Sequence, residues 1–322
     1  CKHRRASLYY GFVEDDGIRC CYHGWKYDFA GQCVDQPFES GEGRLKESIK
    51  LKSYPVRRLA GLLFVYMGPD PANAPLLPRW DVCVREDGNR IIQIFPIHRC
   101  NWLQVQENTA DSVHTYYLHG HMNEVMGLKL DGAEFYKRPI EKCEWTYCEW
   151  GIDKKIVYGG DRPEVEIRPP LIFPNVLRIP QGPVQAMHWR VPIDDTHTRI
   201  IWMGFIPQKA GGKPMPESVD PPFQYLPDAK QGEGEYQMTS FYFQDQMVME
   251  MQGEIYDRSQ ETLGSSDRGI VMFRRMLDRQ IGIVEAGGEP TVAVVRDAAR
   301  NTMIDFSDTT DPGGSLKLSF VA

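Results

Sequence analysis

A Cys-x-His pair, Cys1 and His3, is followed by a Cys-x-x-His pair, Cys20 and His23. Thiolate and imidazole donors at such short spacings demand that two loops converge on metal, which restricts the fold around them severely. Sixteen residues separate His3 from Cys20, enough for a strand, a turn and a return strand that set the loops side by side. Gly24, directly after His23, permits the tight backbone that such a loop requires. Zinc motifs usually pair Cys with Cys and His with His, whereas both pairs here are mixed; a structural zinc site is the plainer alternative. Cys21 is expected to be a packed neighbour, because a coordinating role would break the Cys-x-x-His count.

A second constellation runs from Glu107 to His119 and contains Asp111, His114 and His119. Helical spacing of Trp102, Val105, Thr109, Val113 and Tyr117 predicts a helix over 101–118, with Asn101 as its N-cap. Residues five apart on an α-helix are separated by roughly 140°, so both histidines can face one ion only if the helix widens or ends near His119. Gly120 makes an ending plausible. Asp111, one turn before His114, would share its face.

A formal charge of −7, from 37 basic and 44 acidic residues, argues against a nucleic-acid or anionic-membrane surface. The longest apolar runs, such as 62–67, are far shorter than the ~20 residues a membrane helix needs. With 42% hydrophobic residues a sizeable core is available, so the 8 cysteines do not suggest a disulfide framework. Reduced cysteines fit a cytoplasmic location.

Short β-like runs at 7–11, 18–22, 25–29 and 62–67 are punctuated by Asp16-Gly17 and Ala30-Gly31 turns. Pro69, Pro71, Pro75 and Pro78 mark a linker. The pattern predicts a small β domain over 1–70, a Pro-rich linker over 71–80 and a larger α+β domain over 81–322. The larger domain begins with a strand at 90–96, and β-like stretches at 145–149, 155–158, 164–168, 184–191 and 199–206 predict an antiparallel sheet. A polar stretch over 207–234 reads as a long surface loop. Helices are expected over 244–263, weakened by Gly253, and over 267–280 behind a Ser266 N-cap.

The quartet Cys1, His3, Cys20 and His23 resembles the ligand set of a Rieske [2Fe-2S] cluster, in which two thiolates hold one iron and two imidazoles the other. Such clusters sit at roughly −150 to +300 mV, against about −400 mV for all-cysteine plant-type centres. Combined with Cys-x-x-His-Gly-Trp and Asp-x-x-His-x-x-x-x-His, the chain resembles over nearly its whole length the catalytic α subunits of Rieske non-haem iron aromatic-ring oxygenases. Residues 20–28 and 255–264 further resemble the phthalate 4,5-dioxygenase-like branch. The resemblance implies a small all-β Rieske domain, incomplete before Cys1, then an α+β catalytic domain whose antiparallel sheet is flanked by helices in the helix-grip manner.

It also implies that His114 and His119 are ligands of a mononuclear Fe(II), with a carboxylate from the late helix as the third. Asp245 is the chosen residue, and Glu250, Asp257 and Asp267 are rivals that spacing does not separate. Asp111 would bridge a cluster histidine of a neighbouring subunit to an iron ligand, which requires a homo-oligomer, a trimer or hexamer. No Gly-x-Gly-x-x-Gly fingerprint occurs, so electrons from NAD(P)H would arrive through a separate flavin or ferredoxin-type reductase. The implied reaction inserts oxygen from O2 into a small aromatic, carboxylated substrate; O-demethylation of methoxybenzoate type is the alternative. A Rieske electron-transfer protein with a non-catalytic second domain is the rival of another class. Arg190 or Arg178 could pair with a substrate carboxylate. Arg268, Arg274, Arg275 and Arg279 read as a solvated face.

Overall fold

Asp15 and Asp16 close the first hairpin, in which β1 (Phe12–Glu14) pairs with β2 (Gly17–Arg19) and Glu14 lies opposite Gly17. A Cβ on Gly17 would meet the Tyr27 carbonyl oxygen at 2.1 Å, so the turn needs glycine to let the next strand approach. The computed structural model describes residues 1–40, 44–160, 165–167, 169–181, 184–208, 213, 215–230, 232 and 234–306. It divides into two units, 1–58 with 63–74, and 59–62 with 75–322.

In the first unit β3 (Lys26–Tyr27) and β4 (Cys33–Asp35) complete a four-stranded antiparallel sheet, followed by the short helix α1 (Arg44–Glu47). β5 (Val56–Leu59) and β6 (Leu62–Val65) form a two-stranded sheet. The core is small: Trp25, Tyr27 and Cys33, with Cys1, Leu8, Ile18, Ile49 and Leu51 packed on them. Charge supplements it. Arg19 bonds Glu14 and Asp35 at 2.6 Å each, and Lys26 reaches Glu14 at 2.6 Å and also Asp16. The strand expected at 7–11 is instead a 3₁₀ turn, because the Ser7 hydroxyl accepts from the Tyr9 N–H and starts a turn rather than a ladder.

The second unit is built on a nine-stranded sheet among the described residues. Its strands are β7 (Gly88–His98), β8 (Ile140–Cys148), β9 (Gly151–Tyr158), β10 (Val165–Ile167), β11 (Leu171–Ile172), β12 (Val176–Gln181), β13 (Val184–Pro192), β14 (Thr198–Pro207) and β15 (Phe223–Tyr225). Their order is β10-β9-β11-β12-β13-β14-β7-β15, with β8 also paired to β9. All pairs are antiparallel except β15 on β7, so the sheet is mixed rather than antiparallel throughout. That parallel strand falls inside the stretch expected to be a loop.

Strand alternation decides which side chains reach the sheet's inner face. Gln93 and Phe95, Lys154 with Ile156 and Tyr158, Leu177 and Ile179, His188 and Arg190, and Ile200 and Trp202 all line one cavity. The helices are α2 (Asp81–Val84), α3 (Trp102–Ala110), α4 (Met122–Val125), α5 (Ala133–Tyr136), α6 (Phe241–Met251) and α7 (Arg268–Glu285). Val105 of α3 and Met249 of α6 join Phe95, Ile200 and Trp202 in one core, while Phe273 and Met276 of α7 join Trp145, Ile152 and Leu171 in another.

Asn101 caps α3 as expected, its side chain accepting from the Leu103 N–H at 2.9 Å. The helix expected over 101–118 is not continuous. It ends at Ala110, Asp111 takes an extended conformation, and a π-helix follows at Thr115–His121. α6 begins earlier than expected, because Ser240 caps it, and it stops before Gly253, whose φ is +92°. α7 runs to Glu285, and no side chain caps it: Ser266 lies in a preceding 3₁₀ turn. Among the described residues no helix is long and apolar enough to cross a membrane.

Candidate metal centres

Asp111 leaves the helical conformation because its own carboxylate replaces the lost helical partners: Oδ1 accepts from the N–H groups of Val113 at 2.8 Å and His114 at 3.4 Å. The chain then re-enters a helix in its wide form. In i→i+5 bonding each residue turns through a smaller angle, which greatly reduces the roughly 140° separation that an α-helix imposes on residues five apart. Of the two routes open to His114 and His119, the helix has therefore widened rather than ended at Gly120.

The imidazoles stand edge to face, 5.4 Å between centroids, and both turn Nε2 toward Asp245 Oδ1, at 3.7 Å from His114 and 3.3 Å from His119. Among the described residues these three form the one group of three or more His, Cys, Asp or Glu whose ligand atoms all lie within 4.8 Å of one another. The rivals are occupied elsewhere. Glu250 accepts from Arg99, Tyr236 and Gln246; Asp257 caps the turn at Ser259; Asp267 accepts from the Gly264 N–H.

Burial raises the pKa of the Asp245 carboxyl, but the imidazoles of His119 and His114 and the Asn108 amide outweigh it and hold the pKa at about 2. Asp245 is thus an ionised donor at neutral pH. His119 is oriented from behind. Its Nδ1 lies 3.0 Å from Gln244 Oε1, and the Gln244 amide nitrogen donates to Asn123 Oδ1 at 2.6 Å, so the oxygen end faces the imidazole. Nδ1 then carries the proton and Nε2 offers its lone pair to the site. Asn123 in turn donates to the His119 carbonyl at 2.6 Å. On the other side, His114 Nδ1 lies 3.4 Å from Asp111 Oδ2. Burial would lower the His114 pKa, and the Asp111 carboxylate reverses that and raises it. Nothing in the local pattern announces Gln244 or Asn123; one lies beside Asp245 and the other four residues after His119, without periodic or motif signal.

His114, His119 and Asp245 share a cavity of about 260 Å³ whose other walls are largely apolar, among them Phe95, Leu177, Ile179, Phe241 and Tyr242. Asp111 and His114 also line a second hollow, of about 540 Å³, together with Glu107, Tyr117 and Arg274. Arg274 is not merely solvated: it bonds Glu107 at 2.7 Å and also Glu261. Arg178 does not face the cavity, being committed to Asp81.

In the first unit Gly24 has φ +74° and its N–H reaches the Cys20 carbonyl at 3.0 Å, closing the second loop tightly. His3 stacks on Trp25 at 4.5 Å and meets His23 edge-on at 4.6 Å, so the two imidazoles lie side by side. Cys20 is buried, and Cys1 Sγ lies 3.3 Å from the Tyr27 hydroxyl. Cys21 is exposed rather than packed, since the turn that buries Cys20 directs its neighbour outward.

Residues 1–55 match the model of the Rieske [2Fe-2S] domain. The chain is 35% identical to the 5,5'-dehydrodivanillate O-demethylase oxygenase subunit of Sphingobium sp., over 94% of this chain and 70% of that protein. It is 32% identical to the phenoxybenzoate dioxygenase subunit alpha of Ectopseudomonas oleovorans, over 90% of this chain and 72% of that one. The fold is similar to that of dicamba monooxygenase, with a TM-score of 0.60 at 16% identity, covering 89% of this chain and 86% of the other. The chain belongs to the Rieske non-haem iron oxygenases, enzymes with a [2Fe-2S] cluster and a mononuclear iron, and is similar to their oxygenase subunits.

Proposed function

We propose that the chain inserts oxygen from O2 into a carboxylated aromatic substrate, with His114, His119 and Asp245 holding the mononuclear iron and Cys1, His3, Cys20 and His23 the cluster. The observation that carries this reading is the convergence of two imidazoles and one carboxylate on the wall of a largely apolar cavity. Iron held by such a facial set has open positions for O2 beside the substrate. The chain's own groups do the rest. Gln244 keeps the His119 lone pair on the site, Asn108 steadies Asp245 at 3.2 Å, and Phe95, Ile179 and Trp202 exclude water from the substrate's ring. The two relatives are named for a dehydrodivanillate and a phenoxybenzoate, both aromatic acids.

In this reading residues 1–70 form the Rieske domain, 71–80 the linker and 81–322 the catalytic domain. The enzyme works in the cytoplasm as a trimer or hexamer, fed by an NAD(P)H-dependent reductase. The hollow beside Asp111 and His114 supports the oligomer, because it leaves the far side of the iron-ligand pair open to a neighbouring subunit's cluster. O-demethylation is favoured as a second reaction by the demethylase relative.

Turnover of phthalates, chlorobenzoates and methoxybenzoates with a surrogate reductase under ¹⁸O2 tests the reading. A labelled diol, a labelled phenol or formaldehyde release supports it; a reduced cluster without O2-dependent product removes it. Asp111→Asn is expected to retain both metals yet lower turnover by at least about 100-fold, at the upper end of what losing an outer-shell metal partner costs. Near-normal turnover would remove the bridge.

A further inference from the structure

Among the described residues three guanidinium groups are sunk into the second unit, and their surroundings differ. Arg90, 1% exposed, donates to three backbone carbonyls, those of Val82, Met215 and Arg85. Arg178, 0% exposed, meets both oxygens of Asp81. Arg190 is 4% exposed, donates Nε to the Val105 carbonyl at 3.1 Å, and has a buried Nη1 with no partner. It enters no ion pair among the described residues. A guanidinium carries five N–H donors and stays charged, so one left this far from compensation in an apolar wall is costly unless something completes it.

The place of Arg190 indicates what completes it. It lines the same cavity as His114, His119 and Asp245, two residues along β13 from His188, whose Nε2 is also buried without a partner. Its strand position is pinned on both sides: the Arg190 N–H donates to the Asn175 carbonyl at 2.9 Å, and the Asn175 amide donates to the Arg190 carbonyl at 2.7 Å. Lys154 is a second buried cation in the lining, with Nζ on the Thr109 carbonyl. Of the carboxylates in the lining, Asp111 and Asp245 are engaged by imidazoles and Asp131 is exposed. Burial holds the His188 pKa down at about 3, so at neutral pH its ring is neutral and the attraction for an anion comes from Arg190 and Lys154.

We propose that Arg190 is the anchor for the substrate's carboxylate, its free Nη1 edge taking the anion while His188 Nε2 contacts the same end of the ligand. This rests on the reading of the cavity as the substrate site. It makes the enzyme selective for aromatic acids over their neutral analogues, because an amide or ester offers the guanidinium no charge.

The test is calorimetric binding to the metal-loaded protein without reductase, using benzoate against benzamide and 3-phenoxybenzoate against 3-phenoxybenzamide. Wild type is expected to prefer each acid. Arg190→Gln should weaken the acids about 30- to 1,000-fold while changing the amides little, and Arg190→Lys should restore part of the preference. Equal affinity of wild type for acid and amide overturns the proposal, as does a preference that survives in Arg190→Gln or an equal loss of both ligands. Should Arg190→Gln fail to fold, the wild-type comparison alone decides. No turnover is read, so a failure of the oxygenase reading shows itself separately, in the isotope experiment.

Discussion

Replacing Asp245 by alanine is expected to remove one iron per chain and to abolish O2-dependent turnover, while the visible spectrum of the [2Fe-2S] cluster is unchanged. The two remaining donors, His114 and His119, cannot hold a hard divalent ion in a facial arrangement by themselves, and no other carboxylate is within the 4.8 Å group to substitute. The loss in iron affinity should therefore exceed the about 100-fold that removal of an outer-shell partner costs at most. Glu250→Ala is the control. Its carboxylate is tied to Arg99, Tyr236 and Gln246, so that variant should keep its iron and lose stability instead. Iron analysis of the two proteins decides: an unchanged iron content in Asp245→Ala, or a selective loss in Glu250→Ala, would falsify the assignment.

Asp81→Ala is expected to be the most destabilising single change away from the iron site. Arg178 and Asp81 are both 0% exposed, and their two bonds, 3.2 and 2.7 Å, join the start of the second unit to the middle of its sheet. Removing the carboxylate leaves a guanidinium with neither water nor counter-charge, at a cost of about 3–5 kcal/mol. The urea midpoint followed by tryptophan fluorescence should fall accordingly. The double variant Asp81→Leu, Arg178→Met should recover most of the loss, since a buried pair replaced by apolar groups is often neutral. A double variant no better than Asp81→Ala would show that the site depends on its hydrogen bonds rather than on charge balance.

These two arginines show where the sequence stops being informative. Arg178 and Arg190 both have apolar neighbours in the sequence, which offers both as carboxylate partners. What separates them is a residue 97 positions away, Asp81, which reaches one and not the other. Long-range pairing of that kind has no local signature. Elements with strong periodicity were legible: β13 and β14 fall within one residue of expectation at either end, and α3 begins behind its Asn101 cap. β11 was missed because a two-residue, buried strand has no alternation to show, and β15 because its pairing is set by β7 rather than by its own residues; β12 was missed as well. The histidine pair was legible as a pair. Its geometry was reduced to two possibilities by the mismatch between a five-residue spacing and 3.6 residues per turn.

The wide helix at Thr115–His121 also bears on the order in which the enzyme matures. π-Helical turns are rare and seldom persist as isolated segments, so this one depends on its surroundings. Those surroundings are Asn123 on the His119 carbonyl, the rings of Tyr136 and Phe241 against the His119 imidazole, and Gln244 behind it. Phe241, Gln244 and Asp245 all come from α6, more than a hundred residues later in the chain. Until α6 docks, the His119 imidazole lacks both Gln244 behind it and Phe241 against it, and the third donor is absent as well. Iron capture at this site is therefore a late event that reports completed tertiary structure, and a nascent chain cannot gather the metal early and fold around it.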